Sequence, residues 1–227
     1  MNERMAGEWA STRSAIGNPG VGGEKVKIDT RTITLTAVFA ALYVVLNVVQ
    51  MVSVGNPTLY GPIQLRIADC LIALAALFGW PVVGGVTFGC LLTNSFYFLG
   101  IQDVIFGPIA NLIAASLILL LFKHKFFACV VGALPIGVIV GSYLTIFFPP
   151  PEVLSALPAV AAMIISITIS ELIAIAGIGY SLLLVLSRPG ITGALKSEGL
   201  KLKNARATST DRLHLRRLSQ RGRRDAR

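Results

Sequence analysis

The chain has 227 residues, of which 54% are hydrophobic and 14% charged, with a mean hydropathy of +0.74, which excludes an ordinary water-soluble domain and points to an all-α integral membrane protein. The formal charge of +9 does not indicate nucleic acid. Between Thr32 and Ser187 the only charged residues are Arg66, Asp69, Asp103, Lys123, Lys125, Glu152 and Glu171, whereas twelve Lys or Arg against three acids follow from Arg188 onward.

Residues 1–30 contain no apolar h-region, so a cleavable signal peptide is not expected and the segment is predicted to be a flexible cytosolic leader. A spanning helix needs about 20 apolar residues, fewer when neighbours protect it, and six segments from 31 to 187 qualify, some of them narrowly. The first, Ile33 to Val54, ends at the turn Gly55, Asn56, Pro57. The second, Ile67 to Phe78, is short and stops at Gly79, Trp80, Pro81. The third runs from Pro81 to Leu99, with proline in the first turn, where helices tolerate it. Asp103 to Phe122 is the fourth, opened by an acid suited to a helix N-terminus. Phe126 to Phe147 is the fifth, closed by three prolines, and Leu157 to Leu186 is the sixth. Residues 188–227 form a basic tail, which reads as a retention signal for the cytoplasmic side or an anionic-lipid contact.

Six spans put both ends on one side, together with Lys25, Lys27, Arg31 and the loop Lys123, His124, Lys125. The positive-inside rule makes that side cytoplasmic. Cys70, Cys90 and Cys129 lack CxxC spacing and read as small core residues, not as a disulfide framework or zinc site. His124 and His214 have no second ligand at helical spacing, so neither a metal nor a cofactor is expected.

Three pairs of small residues at i, i+4 can let helices approach closely: Ala37 with Ala41, Gly85 with Gly89, and Gly137 with Gly141. Packing inside one chain accounts for the pairs; the Ala pair, on an otherwise bulky helix, can also face another subunit. Polar residues fall into stripes: Tyr43, Asn47 and Gln50; Arg66 and Asp69; Thr87, Asn94 and Tyr97; Asp103, Gly107 and Asn111; Thr168 and Glu171. One such residue is usually glue between helices, but ionisable groups inside a membrane are functional candidates. Arg66 can pair with Asp69 or Asp103 or meet a ligand. It is predicted near the outer surface, leaving Glu171 without a basic partner. No GxxxxGK[ST], HExxH, GxSxG or multi-carboxylate metal cluster occurs, so the chain carries no ATPase of its own and no visible catalytic constellation. It is expected to be a binding subunit and not an enzyme.

The strings QLRIADCLIALAALFG at 64–79, GGVTFGCLLTNSF at 84–96, DVIFGPIANLIAA at 103–115 and the SE pair at 170 and 171 resemble the QueT family of predicted queuosine-precursor transporters, over roughly residues 31–187. These are substrate-binding (S) components of energy-coupling-factor (ECF) transporters. The resemblance implies a six-helix bundle that captures a 7-deazaguanine-type base from outside, and separate partners: a transmembrane coupling protein and two ATPases. It also implies that Ala37 and Ala41 match the AxxxA face contacting the coupling protein. The family pattern has Glu after RI and Gly before the sixth-helix Glu, where this chain has Asp69 and Ser170.

A guanine-like base offers two adjacent N–H donors, which one carboxylate can accept together. Glu171 is the first candidate for that acceptor. Asn94 and Asn111 are candidates for the carbonyl and ring nitrogens, Tyr97 for stacking, and Asp69 or Asp103 for an aminomethyl cation. Glu171 lies about 20 Å along its helix from Pro158, so its role depends on whether the pocket reaches that depth. Rival readings are an S component for another vitamin or purine-like nutrient, a stand-alone facilitator, and a membrane enzyme.

Overall fold

The computed structural model describes residues 29–54, 65–197, 200 and 202. Most of the predicted leader and basic tail, and the Gly55, Asn56, Pro57 turn, lie outside them. The described residues are helical and contain no strand. The helices are α1 (Thr30–Val54), α2 (Ile67–Phe78), α3 (Trp80–Phe96), α4 (Ile101–Leu120), α5 (Lys125–Leu144), α6 (Ala159–Leu186) and the short α7 (Pro189–Ser197). Four of them, α1, α4, α5 and α6, are long and apolar enough to cross a membrane.

The six predicted apolar segments each correspond to a helix, within a few residues. Between α2 and α3 the chain reverses at Gly79, whose φ of 76° lies in the left-handed region that a side chain disfavours, and Pro81 then sits in the first turn of α3. Helix α2 is buried on every side from Ala68 to Phe78, as expected of a helix apolar all round. Its first part, Ile67–Leu74, is a tight 3-10 helix, and it packs against Leu172–Gly179 of α6, which widens into a π-helix. Gly179 makes this crossing possible, because a Cβ there would lie 2.5 Å from the Cys70 carbonyl oxygen.

The glycine pairs pack inside the bundle. A Cβ at Gly85 would lie 2.5 Å from Phe39 Cβ and one at Gly89 2.7 Å from Tyr43 Cβ, so the pair sets how closely α3 approaches α1. Gly137 and Gly141 do the same for α5 on α6, with a Cβ at Gly141 falling 2.6 Å from Ile164 Cα. Because that obstacle is backbone, Gly141→Val must push the two helices apart, at a cost of about 1–3 kcal/mol or more. The expected result is a clearly lowered melting temperature in detergent; an unchanged one would contradict this packing.

Two contacts define one end of the bundle. Asp29, Arg31 and Leu35 surround a cleft with Phe78, Trp80, Leu200 and Leu202, and Lys125 Nζ donates to Ser187 Oγ at 2.8 Å. The start of α1, the α4–α5 turn and the end of α6 therefore gather the basic residues at one end. The polar cavity described next lies toward the other.

Candidate functional site

Five helices line a single cavity with polar side chains in their halves farthest from the basic end, and α5 closes it with the apolar Ile136, Val140 and Leu144. All seven predicted binding residues line it: Arg66 and Asp69 from the start of α2, Asn94 and Tyr97 from the end of α3, Asp103 and Asn111 from α4, and Glu171 from α6. Asp69, Asn94, Asp103, Asn111 and Glu171 are each at most 5% exposed. Glu171 thus lines the same cavity as Arg66 and Tyr97. The expected separation of Arg66 from Glu171 does not hold: both face the same space, because the extended backbone at Arg66 (φ −95°, ψ 101°) precedes a 3-10 helix crossing α6 next to Glu171.

Most of the polar groups are held by protein partners. Tyr43 Oη donates to Asp69 Oδ1 at 2.6 Å, and the Asn111 amide donates to Tyr43 Oη at 3.0 Å and to Asp69 Oδ1 at 3.4 Å. Tyr143 Oη donates to Asp103 Oδ1 at 2.7 Å. The Asn94 amide donates to the Asp103 carbonyl at 2.9 Å, a reach that depends on Gly107, where a Cβ would stand 2.5 Å from Asn94 Nδ2. Buried polar groups normally carry such partners.

One oxygen of Glu171 is the exception. Its carboxyl shares a hydrogen bond with Asp69, but Oε2 is buried with no hydrogen-bond partner. Among the described residues Arg66 forms no ion pair with Asp69 or Asp103, one of the two uses open to it from spacing, and its one hydrogen bond is a long contact to Cys90 Sγ at 3.9 Å. An acceptor and a strong donor thus face the cavity while their neighbours are engaged with each other. That combination suits a small ligand with both N–H donors and acceptors, since an unmet buried polar group is costly.

Two stripe members stand elsewhere. Thr87 Oγ1 donates to the Val83 carbonyl at 2.7 Å and Thr168 Oγ1 to the Ile164 carbonyl at 2.7 Å; both satisfy their own helix, and Thr168 packs over Gly137. Ser170, where the family pattern has Gly, likewise bonds back to Ser166 at 3.0 Å. Tyr143 escaped sequence reading because α5 carries no polar stripe to draw attention to it; the signal was the need of buried Asp103 for a donor. Gln50 is a second omission from the site, although its stripe was visible: Gln50 Nε2 donates to the Leu65 carbonyl at 2.5 Å, and Ile67 N–H donates to Gln50 Oε1 at 2.9 Å.

Ala37 and Ala41 are exposed on the face of α1 opposite Phe39, Tyr43 and Asn47, in a ladder with the exposed Ile33 and Val45. They do not pack within the bundle. Among the described residues, no group of three or more His, Cys, Asp or Glu is placed to hold a metal ion.

A family model described as QueT transporter matches residues 33–188, more than half of the chain. No curated protein and no solved structure matches.

Proposed function

This chain belongs to the QueT transporter family, and from that premise we propose that it is the substrate-binding membrane subunit of an ECF-type transporter, importing a queuosine precursor of the 7-deazaguanine class with ATP hydrolysed by two separate subunits. Family membership makes it a transporter protein of the membrane; the subunit role, ligand and partners are the proposal. One observation carries it: Arg66, Asp69, Asn94, Tyr97, Asp103, Asn111 and Glu171, drawn from four helices, converge on one buried cavity in an otherwise apolar bundle. Membrane bundles rarely gather so many ionisable groups without a functional reason.

In this reading the bundle spans the cell membrane six times, α2 and α3 crossing as shorter helices sheltered by their neighbours. The basic end faces the cytoplasm and the cavity faces outward, ready to take ligand from outside. Glu171 accepts the N–H edge of the base, Tyr97 offers a ring for stacking, and Asp69 or Asp103 meets an amine where the precursor has one. The exposed Ala37 and Ala41 form the surface on which the coupling protein docks.

Uptake of a labelled 7-deazaguanine precursor tests the whole reading. Cells producing this chain with a coupling protein and both ATPases should accumulate the label, and cells producing this chain alone should bind it at the surface without accumulating it. Accumulation without any ATPase partner would make the protein a facilitator. A purified protein that binds a different vitamin and no deazaguanine would make it an S component for that vitamin.

A further inference from the structure

Among the described residues, an acceptor, Glu171 Oε2, and a donor, the Arg66 guanidinium, are left in the cavity without a good partner. On sequence grounds Asn94 and Asn111 were candidates to meet the carbonyl of the ligand. Asn111 instead gives its amide nitrogen to both Tyr43 and Asp69, and Asn94 gives one of its two N–H donors to the Asp103 backbone. Arg66 has five N–H donors in a rigid planar fork; among the described residues it lies near the charges of Asp69 and Asp103, and its one hydrogen bond is the 3.9 Å contact to a thiol.

We propose that Arg66 reads the ring carbonyl of the ligand while Glu171 accepts its adjacent N–H groups, so that the cavity selects a conjugated ring with a lactam edge, and that Gln50 is the positioning residue that aims Arg66. The proposal rests on the reading of the cavity as a site for a guanine-like base, and names the edge by which that base is distinguished from one lacking the carbonyl. An arginine N–H suits the ring carbonyl of a guanine-like base, and since a 7-deaza ring has carbon in place of N7 the contact on that edge is to the carbonyl alone. In a dry cavity an analogue without the carbonyl leaves the guanidinium unmatched, and sites built on such hydrogen bonds discriminate strongly.

The role of Gln50 follows from its two bonds. Its carboxamide accepts from the N–H of Ile67 and donates to the carbonyl of Leu65, gripping the backbone on both sides of Arg66. Residue 66 is extended and lies at the entry to α2, where its carbonyl accepts from the N–H of Asp69 at 3.2 Å but its own N–H falls before the helical bonds begin. With the grip intact, the side chain of Arg66 is directed between α1 and α3 into the cavity; without it, residues 65–67 can turn and the fork loses its aim.

Binding of two probes to purified protein tests this: 7-deazaguanine and 2-amino-7-deazapurine, which lacks the carbonyl and, with it, the neighbouring ring N–H. The intact protein should prefer 7-deazaguanine by about tenfold to a hundredfold. In Arg66→Met that preference should fall by about fivefold to tenfold, 7-deazaguanine losing its carbonyl contact while the analogue is freed from an unmatched guanidinium, and what remains belongs to the ring N–H that Glu171 accepts; a general folding defect would weaken both probes alike. Should Arg66→Met fail to fold, Arg66→Leu decides: it too removes every donor and should lose the same share of the preference. Gln50→Ala should reduce the preference without altering affinity for the analogue. Equal binding of both probes by the intact protein, or full preference in Arg66→Met or Arg66→Leu, overturns the assignment of Arg66 while leaving the deazaguanine reading in place; full preference in Gln50→Ala overturns the positioning role. Failure of the intact protein to bind either probe overturns the deazaguanine reading itself.

Discussion

Glu171→Gln is expected to weaken binding of 7-deazaguanine about a hundredfold, roughly 3 kcal/mol, without lowering the melting temperature of the protein. The two halves of this expectation have one cause. Oε2 of Glu171 has no hydrogen-bond partner, and burying it unmet is a cost; the rest of the carboxyl meets Asp69, a contact that a glutamine amide can keep by donating to the Asp69 carboxylate. A ligand with N–H donors supplies the missing partner. Glutamine keeps the shape but presents an NH2 group where the ligand needs an acceptor, turning an attraction into a clash of donors. Asp69→Asn should behave differently, because Asp69 already accepts from Tyr43 at 2.6 Å and from Asn111 at 3.4 Å. That substitution disturbs a network joining α1, α2 and α4, and it should lower the melting temperature along with affinity. Calorimetry and thermal unfolding on the two variants separate the roles: unchanged affinity in Glu171→Gln removes Glu171 from the ligand, and a stability loss in that variant matching Asp69→Asn would make it structural glue.

The cavity residues are legible in the sequence because polar side chains stand out in apolar helices, and helical spacing puts Asp103 and Asn111, or Arg66 and Asp69, on shared faces. The helices are legible for a similar reason: Gly79 and Pro81 break the apolar run where the chain reverses. Spacing alone does not disclose what each polar group bonds to. Thr87 and Thr168 carry hydroxyls that can return to their own backbone, and they do so, leaving the cavity to their neighbours. Asn94 and Asn111 look like ligand donors until the carbonyl of Asp103 and the hydroxyl of Tyr43 are seen beside them.

Depth was the harder problem. Counting 1.5 Å per residue along a regular helix sets Arg66 and Glu171 at different levels, but neither segment is a regular α-helix throughout. The 3-10 helix from Ile67 rises faster per residue, and α6 widens at Leu172, the residue after Glu171. Such departures from the α-helix are frequent at functional sites. Here they bring an acid and a base to one cavity, and they depend on small residues, Gly179 against Cys70 above all, whose spacing carries no label of its own.

Ala37→Leu should abolish uptake, by tenfold or more, while leaving the affinity for ligand within about twofold. Helix α1 has two working faces. One, through Tyr43, Asn47 and Gln50, is buried and supports the cavity; the other presents Ala37 and Ala41 between Ile33 and Val45 to whatever lies outside the bundle. Within the chain the alanines separate no helices, unlike the glycine pairs of α3 and α5, so their small size serves no internal contact. A smooth groove of this kind admits a second helix closely, and a leucine side chain at its centre holds that helix off. Since residue 37 is exposed, the leucine meets no core and the fold should tolerate it. Measured side by side, binding to the purified variant and uptake in cells with all partners give the outcome: loss of uptake with binding kept identifies the docking face, whereas normal uptake removes it, and loss of both would mean that α1 transmits the change inward through Tyr43 to Asp69.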